Sequence, residues 1–263
     1  MNVKLLYKLV FLLSVLPLPL MAQSGAPEYR TEKSNDVQFR TGFEVEKKIS
    51  RWLSAEWSEE LRLKDNIQAI DRIYSDVAFS FKAAKWLKFT TGYTYIAVLH
   101  EGKKKNDYHH YWESRHRLTA GVTFSYKTPN NWEFSLKERA QVTFYADDDF
   151  DKREKCDPAW TLKSKLTAGY DCPRVPLNPY ASVELCNTLN VPKVIDHNYL
   201  DKVRSAVGVV YRINKHHSLN AFYRFDYNLE KDPNVKNSTG ALKTLTEETA
   251  YNNIFGISYK FKF

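Results

Sequence analysis

The chain ends in Tyr251-Asn-Asn-Ile-Phe-Gly-Ile-Ser-Tyr-Lys-Phe-Lys-Phe263, and this segment carries the clearest pattern in the sequence. Apolar and polar residues alternate along it, and the apolar face holds Tyr251, Phe255, Ile257, Tyr259, Phe261 and Phe263. A period of two residues is that of a β-strand with one apolar and one aqueous face. Such a strand, ending on an aromatic residue, is typical of the closing strand of a bacterial outer-membrane β-barrel.

The first residues predict export. Lys4 and Lys8 precede an apolar run from Leu9 to Leu20, and Ala22 ends the segment. This is the pattern of a cleaved secretory signal peptide, which we place at residues 1–22, leaving residues 23–263 for the barrel. The apolar run is too short to cross a bilayer as a helix, and no comparable run follows it. Membrane insertion is therefore expected through strands.

Composition agrees with a barrel and bears on its partners. Aromatic residues make up 14% of a chain whose mean hydropathy is only −0.53, which is too polar for a bundle of membrane helices. The formal net charge of +8 falls to +6 when Lys4 and Lys8 leave with the signal peptide. This basic balance favours anionic lipid headgroups or solutes, and no nucleic-acid partner is expected in this compartment. The cysteines form an odd set, and a disulfide between Cys156 and Cys186 stays open.

Alternating segments recur along the whole chain and predict an all-β, up-and-down antiparallel barrel. We place strands at residues 37–46, 53–64, 73–82, 87–99, 115–127, 132–145, 159–171, 178–186, 202–213, 219–229 and 251–263. The connections alternate between tight turns, at 82–86, 128–131 and 214–217, and long polar loops, at 100–114, 147–158, 187–198 and 230–248. Outer-membrane barrels keep short turns in the periplasm and long loops outside, which sets the direction of every strand.

The number of strands raises a question of parity. The eleven segments would leave the first and last strands parallel, whereas single-chain bacterial barrels have even strand counts. We therefore predict about 12 strands, with a short extra strand within Glu28 to Asn35, and about 10 as the fallback. The closing strand should pair with this weak segment or with the strand that begins at Val37.

The polar face of the strands should line the lumen. Six of the nine glycines fall on it, where they permit curvature and leave room for large neighbours. Most strand charges share this face, because a lysine or arginine exposed to lipid at mid-bilayer costs about 2 to 4 kcal/mol. Acidic residues dominate the first strands and basic residues the middle and later ones. The lumen candidates are Glu56, Glu60, Arg62, Arg139, Arg204 and Arg224. Two interpretations stay open: a selective pore or anionic-ligand pocket, or salt bridges that fill a narrow lumen.

The outward face has two aromatic girdles and two exceptions. Tyr126, Trp132, Tyr170 and Tyr211 lie near the short turns, and Tyr95, Phe144, Trp160 and Tyr227 lie near the loops. Glu59 and Glu138 fall on the apolar face, where a carboxylate is unfavourable. A local bulge that turns each side chain inward is the favoured explanation, and a subunit contact or a lipid-facing active group is the alternative.

The sequence contains only weak candidates for a catalytic or metal site. Ser114 beside His116 is the best pair for a serine nucleophile, and His100, Glu101, Asp107, His109 and His110 are the best cluster for a divalent metal. Histidines in loops are more often simply solvated. We therefore predict no catalytic residue, no metal and no cofactor.

A family resemblance adds to this interpretation. Trp52-Leu-Ser-Ala-Glu-Trp-Ser-Glu-Glu-Leu-Arg-Leu-Lys-Asp-Asn66, Lys85-Trp-Leu-Lys-Phe-Thr-Thr-Gly-Tyr-Thr-Tyr95 and Arg115-His-Arg-Leu118 resemble the domain-of-unknown-function "twenty-four ninety" family of Bacteroidetes outer-membrane β-barrel proteins. The resemblance implies a barrel in the outer membrane and brings no activity or site residues.

The expected function is that of a small non-enzymatic barrel, either a narrow pore or a barrel that binds a solute or lipid in a charged lumen. The alternatives are an outer-leaflet lipid-modifying enzyme and an adhesion protein that acts through its loops. The expected partners are outer-membrane lipid and the barrel-assembly machinery, which would engage the strand ending at Phe263. The number of copies is left open.

Overall fold

The protein is a closed barrel in which each strand pairs with the next. The computed structural model describes residues 27–104, 107–146, 154–195, 200–236 and 238–263, without the side chains of 101–104 and 107–109. Its eleven strands are β1 (Glu28–Lys48), β2 (Leu53–Lys64), β3 (Ala69–Lys82), β4 (Leu87–Lys104), β5 (Asp107–Lys127), β6 (Trp132–Tyr145), β7 (Ala159–Tyr170), β8 (Leu177–Thr188), β9 (Lys202–Arg212), β10 (His217–Val235) and β11 (Leu242–Lys262). The predicted signal peptide lies outside the described residues.

The barrel closes through a parallel pair, which corrects the predicted strand count. β1 pairs with β11 in parallel from Glu28 opposite Thr244 to Glu46 opposite Lys262, and every other pairing is antiparallel. The expected extra strand at Glu28 to Asn35 is the first part of β1, so both the 12-strand prediction and the 10-strand fallback are wrong. This part of β1 is mostly exposed. Its sequence shows no alternation because both of its faces meet water.

Two of the predicted loops are largely strand. The segments predicted as loops at 100–114 and 230–248 contain the paired ends of β4 with β5 and of β10 with β11. Backbone pairing continues beyond the lipid-facing part of each strand. A strand in water needs no apolar face there, so the period-two pattern ends before the strand does. The tight turns at 83–86, 128–131 and 213–216 all lie at the opposite end, together with the C-terminus. We call this the short-turn end.

The two faces of the wall have the predicted character. Aromatic side chains such as Phe79, Phe89 and Phe134 are exposed on the outside, and charged residues such as Asp76 and Lys137 line the interior. The inward glycines meet their neighbours closely: a Cβ on Gly256 would lie 2.2 Å from the Phe222 ring, and one on Gly208 would lie 2.6 Å from the Tyr180 hydroxyl. Glycine thus makes room for two inward aromatic rings. In the described part of the chain no helix is long and apolar enough to span a membrane.

Glu59 and Glu138 stay on the outer face, so the predicted bulges are wrong. The pairing of β2 and β6 with their neighbours runs without a register shift at either residue. Each carboxylate instead accepts a hydrogen bond from a serine on the adjacent strand, Ser75 for Glu59 at 2.5 Å and Ser164 for Glu138 at 2.6 Å. The indole of Trp57 donates a second bond to Glu59. Hydrogen bonds within the wall, rather than an irregular backbone, accommodate these groups.

Candidate functional site

The interior of the barrel holds a polar cavity of about 1420 Å³. It extends from loop residues such as Glu154 and Asn190 down to Glu56 and Lys137. All six lumen candidates line it: Glu56, Glu60, Arg62, Arg139, Arg204 and Arg224. Salt bridges occupy part of the lumen but do not fill it.

One side of the cavity is a network of paired charges. Glu184 on β8 accepts hydrogen bonds from Arg139 and, at 2.6 Å, from Arg204. Asp226 on β10 lies 3.4 Å from Arg204 and 2.8 Å from Arg224. All of these groups are largely buried, and removing one partner of such a network leaves an uncompensated buried charge. This network therefore fixes the positions of Arg139, Arg204 and Arg224.

Four cations face one another across β6 and β7. Lys137 lies opposite Lys165, and Arg139 lies opposite Lys163. Like charges in directly opposite positions destabilise a strand pair. Glu184, which is opposite Lys165, is already bound by Arg139 and Arg204. Among the described residues, Lys137, Lys163 and Lys165 have no carboxylate within salt-bridge distance, and we call these three the lysine ladder.

Arginines gather around Tyr74 on β3. The guanidinium of Arg62 stacks on the ring, with Cζ 3.9 Å from the centroid, and its Nη1 donates to the hydroxyl at 3.0 Å. Arg117 lies 6.0 Å from the same centroid and donates from Nε to the Thr143 hydroxyl. Arg40 and Arg72 line the same cavity as Tyr74. Sequence reasoning missed Arg40 and Tyr74 as site residues, because only the register shows that they converge.

Side chains near the short-turn end narrow the lumen below the cavity. Lys260 on β11 donates to Glu44 and lies 2.8 Å from Glu46 and 3.6 Å from Glu56. Glu56 lines the cavity, but Glu44, Glu46 and Lys260 do not, and neither do the rings of Tyr180 and Phe222. We call these last five residues the floor. The sequence pattern places Glu44, Glu46 and Lys260 on the polar face, but it did not identify Tyr180 and Phe222 as inward, since an inward aromatic ring looks like a break in that pattern until its glycine partner is known.

Groups near the loop end also line the cavity. Lys155 lies 3.8 Å above the ring of Tyr145, and burial lowers the pKa of its ammonium group. Burial also raises the pKa of the Cys156 thiol. Cys156 and Cys186 both line the cavity, but no disulfide joins any of the three cysteines. The disulfide that the sequence left open is therefore absent.

The described catalytic and metal candidates have other partners or are exposed. Ser114 and His116 lie on the outer face, where the Ser114 hydroxyl bonds to Tyr95 at 2.9 Å and His116 Nδ1 bonds to Tyr93 at 2.7 Å. His100 bonds to Glu113 at 2.6 Å, and His110 is exposed. The side chains of Glu101, Asp107 and His109 lie outside the described residues.

A closed barrel with an apolar outer wall and a polar lumen is the architecture of bacterial outer-membrane proteins, and the outer membrane is where this protein resides. Residues 37–237 match the model of a family described as "Protein of unknown function (DUF2490)". The chain belongs to this family.

Comparison with solved structures gives low similarities. The β domain of the Bordetella autotransporter BrkA has a TM-score of 0.40 and 12% identity, over 66% of this chain and 75% of that one. OmpT of Vibrio cholerae has a TM-score of 0.38 and 10% identity, over 78% of this chain and 62% of that one. An anion-selective porin from Comamonas acidovorans has a TM-score of 0.32 and 13% identity, over 75% of this chain and 54% of that one. Similarity at this level transfers no solute or activity. A search against curated proteins finds no match.

Proposed function

We propose that this protein is a non-enzymatic barrel that admits small anionic solutes through its lumen. The lysine ladder carries the proposal. Among the described residues these three ammonium groups have no carboxylate within salt-bridge distance, and they line the cavity of about 1420 Å³ together with Arg139, which lies opposite Lys163. Clustered charge of one sign in a cleft with low-dielectric walls concentrates counter-ions. Rings of lysine and arginine select anions in pores by the same means.

Ion selectivity tests this proposal. In planar bilayers with a KCl gradient, the reversal potential of the wild-type protein should report preference for chloride. The triple variant Lys137→Gln, Lys163→Gln, Lys165→Gln should lose that preference because the ladder is neutralised. The matched control is Lys47→Gln, Lys85→Gln, Lys215→Gln, which removes the same charge from exposed positions and should keep it. A cation-selective wild type, a barrel that passes no current, or a triple variant with unchanged selectivity would contradict the proposal.

The non-enzymatic part of the proposal is supported by the outer-face candidates. Ser114 and His116 each have a tyrosine partner rather than one another, and a serine nucleophile requires a base within hydrogen-bond reach. Phospholipid turnover by the purified protein, abolished in Ser114→Ala, would establish the enzyme alternative instead. Loss of cell binding on loop deletion, with conductance retained, would establish the adhesion alternative.

Further expectations belong to the same proposal. The apolar wall should contact outer-membrane lipid, and the strand that ends at Phe263 should engage the barrel-assembly machinery. A signal peptide at residues 1–22 and an origin in Bacteroidetes stay predictions.

A further inference from the structure

Arg40 is a buried arginine without an adequate counter-ion. The residue is only 6% exposed, and its Nε has no hydrogen-bond partner. Among the described residues its one carboxylate contact is Glu60, at 3.9 Å from Nη1, and the same Glu60 oxygen is already bonded to Arg62 Nε. Arg40 nevertheless lines the cavity. A buried guanidinium is unfavourable unless it is paired and hydrogen-bonded.

In the part of the chain that the structure describes, the groups nearest Arg40 carry one negative charge too few. The charges that act on it most strongly are two cations, Arg62 and Arg224, and two carboxylates, Glu60 and Asp226. Arg62 holds Glu60 and Arg224 holds Asp226, which also interacts with Arg204. Three guanidinium groups therefore share two carboxylates that are already engaged. Arg117, beside the neighbouring Tyr74, also has no carboxylate within salt-bridge distance among the described residues.

A bound oxyanion would supply the missing negative charge. The planar guanidinium presents its N–H groups as a fork that matches the oxygens of a phosphate or carboxylate and binds them in pairs. The Tyr74 hydroxyl, which accepts from Arg62 and can still donate its own proton, and the Gln141 amide, which has a second N–H, also line the cavity and suit the other oxygens of such a ligand. The cavity volume of about 1420 Å³ has room for a solute larger than the anionic group itself.

We propose that Arg40, flanked by Arg62 and Arg224, binds the phosphate or carboxylate group of a small solute in the cavity. The inference rests on the proposed anion preference of the lumen and makes it specific. The lysine ladder draws anions into the barrel, and Arg40 retains those whose oxygens match its fork. Chloride, which is spherical, gains little from that geometry.

Equilibrium binding tests the site without any need for current. Sodium phosphate or sodium acetate is titrated into the purified protein in detergent, at ionic strength matched with sodium chloride, and heat and thermal unfolding are recorded. Phosphate, acetate or both should release heat and raise the unfolding temperature of the wild type above its value in chloride. The two arms identify whether phosphate or carboxylate oxygens are preferred. No heat and no shift in either arm would overturn the inference.

Variants of Arg40 separate binding from structure. Arg40→Gln should weaken the binding by about tenfold or more, while its unfolding temperature in chloride should equal or exceed that of the wild type, because an uncompensated buried charge is removed. Arg40→Lys keeps the charge without the fork and should weaken binding too. Arg51→Gln, at an exposed turn, is the matched control and should bind like the wild type. Unchanged binding in both Arg40 variants would overturn the inference, as would a strong loss of stability in Arg40→Gln with no anion effect on the wild type.

The two proposals can fail separately. A protein that conducts chloride selectively but binds no phosphate or acetate retains the proposed function and loses the site. A protein that binds one of these oxyanions at Arg40 but passes no anion current retains the site and loses the conducting role.

Discussion

At the scale of single residues, the wall of this barrel depends on inward positions that have no side chain. Gly42 on β1 lies so close to β2 that a Cβ would be 2.4 Å from the Glu59 carbonyl oxygen and 3.2 Å from Glu60 Cα. Both are backbone atoms held in the strand ladder. A flexible side chain could move aside, but a paired backbone cannot without disturbing the sheet.

Gly42→Ala should therefore destabilise the barrel by about 1 to 3 kcal/mol, as overpacking does. Gly169→Ala is the matched control, because the nearest atoms to its Cβ would lie at an ordinary 3.7 Å. It should change stability by about 0.5 kcal/mol or less. Urea unfolding of the two variants in lipid vesicles checks this pair, and equal effects would show that the close approach at Gly42 does not exist.

The outward carboxylate of Glu138 makes a second residue-scale prediction. Its one hydrogen-bond partner among the described residues is the Ser164 hydroxyl at 2.6 Å, and the group otherwise faces lipid. Glu138→Leu should stabilise the barrel in vesicles by about 1 kcal/mol or more, because a lipid-facing polar group is removed. Ser164→Ala should destabilise it by about 1 to 3 kcal/mol, since the carboxyl group is left unsatisfied. Loss of stability in Glu138→Leu would point instead to a polar partner on this surface.

At the scale of strands, the parallel seam between β1 and β11 is reinforced by ion pairs. Lys260 on β11 reaches two carboxylates of β1, Glu44 and Glu46, and one of β2, Glu56. These carboxylates offer oxygens within 4.8 Å of one another. A single ammonium group thus links three strands and offsets the repulsion among three acids.

Lys260→Ala should destabilise the closed barrel by about 1 to 3 kcal/mol, because the three carboxylates lose their common partner. Lys262→Ala is the matched control: Lys262 is half exposed and lies 3.4 Å from Glu46 alone, so its removal should cost about 0.5 kcal/mol or less. The measurement is the urea midpoint in vesicles. If the two variants behaved alike, Lys260 would have no special role at the seam.

A second strand-scale prediction concerns pH at the short-turn end. Lys127 donates to the Asp171 carboxylate at 2.9 Å, and Arg212 binds its other oxygen. The hydrogen bond from Lys127 is the main reason that the pKa of Asp171 lies below its ordinary value of 3.8. A carboxyl group whose pKa falls on folding stabilises the protein above its unfolded pKa and loses that contribution as the pH drops through the folded value.

Asp171→Asn should therefore be less stable than the wild type by about 0.5 to 1 kcal/mol near pH 7. The difference should shrink as the pH falls below the ordinary value of 3.8 and through the lower pKa of the folded protein, because the wild-type carboxyl then loses its charge. Urea midpoints of both proteins across this range are the test. A constant difference at every pH would mean that Asp171 acts through packing rather than charge.

At the scale of the molecule, the sequence predicts the wall better than the interior. β2 and β6 could be placed to the residue, because lipid outside and water inside impose alternation along them, which only Glu59 and Glu138 break. The start of β1 at Glu28 and the paired ends of β4 and β10 could not be placed from the sequence. Both faces of these segments contact water, so no alternation of apolar and polar residues is required there. The lumen charges were identifiable as inward, but the isolation of Arg40 depends on which carboxylates its neighbours already hold. That is a property of the closed barrel and not of any one strand.

The floor gives the last prediction, which concerns passage through the whole molecule. The rings of Phe222 and Tyr180 occupy space left by Gly256 and Gly208, below the cavity. The double variant Phe222→Ala, Tyr180→Ala should raise the single-channel conductance by about twofold or more, because a pore constriction limits the current. Phe255→Ala, on the outer face next to Gly256 in the chain, removes a ring of the same kind and should leave the conductance unchanged. An unchanged current in the double variant would place the constriction at Lys260 and its three carboxylates, where Lys260→Ala should then open it.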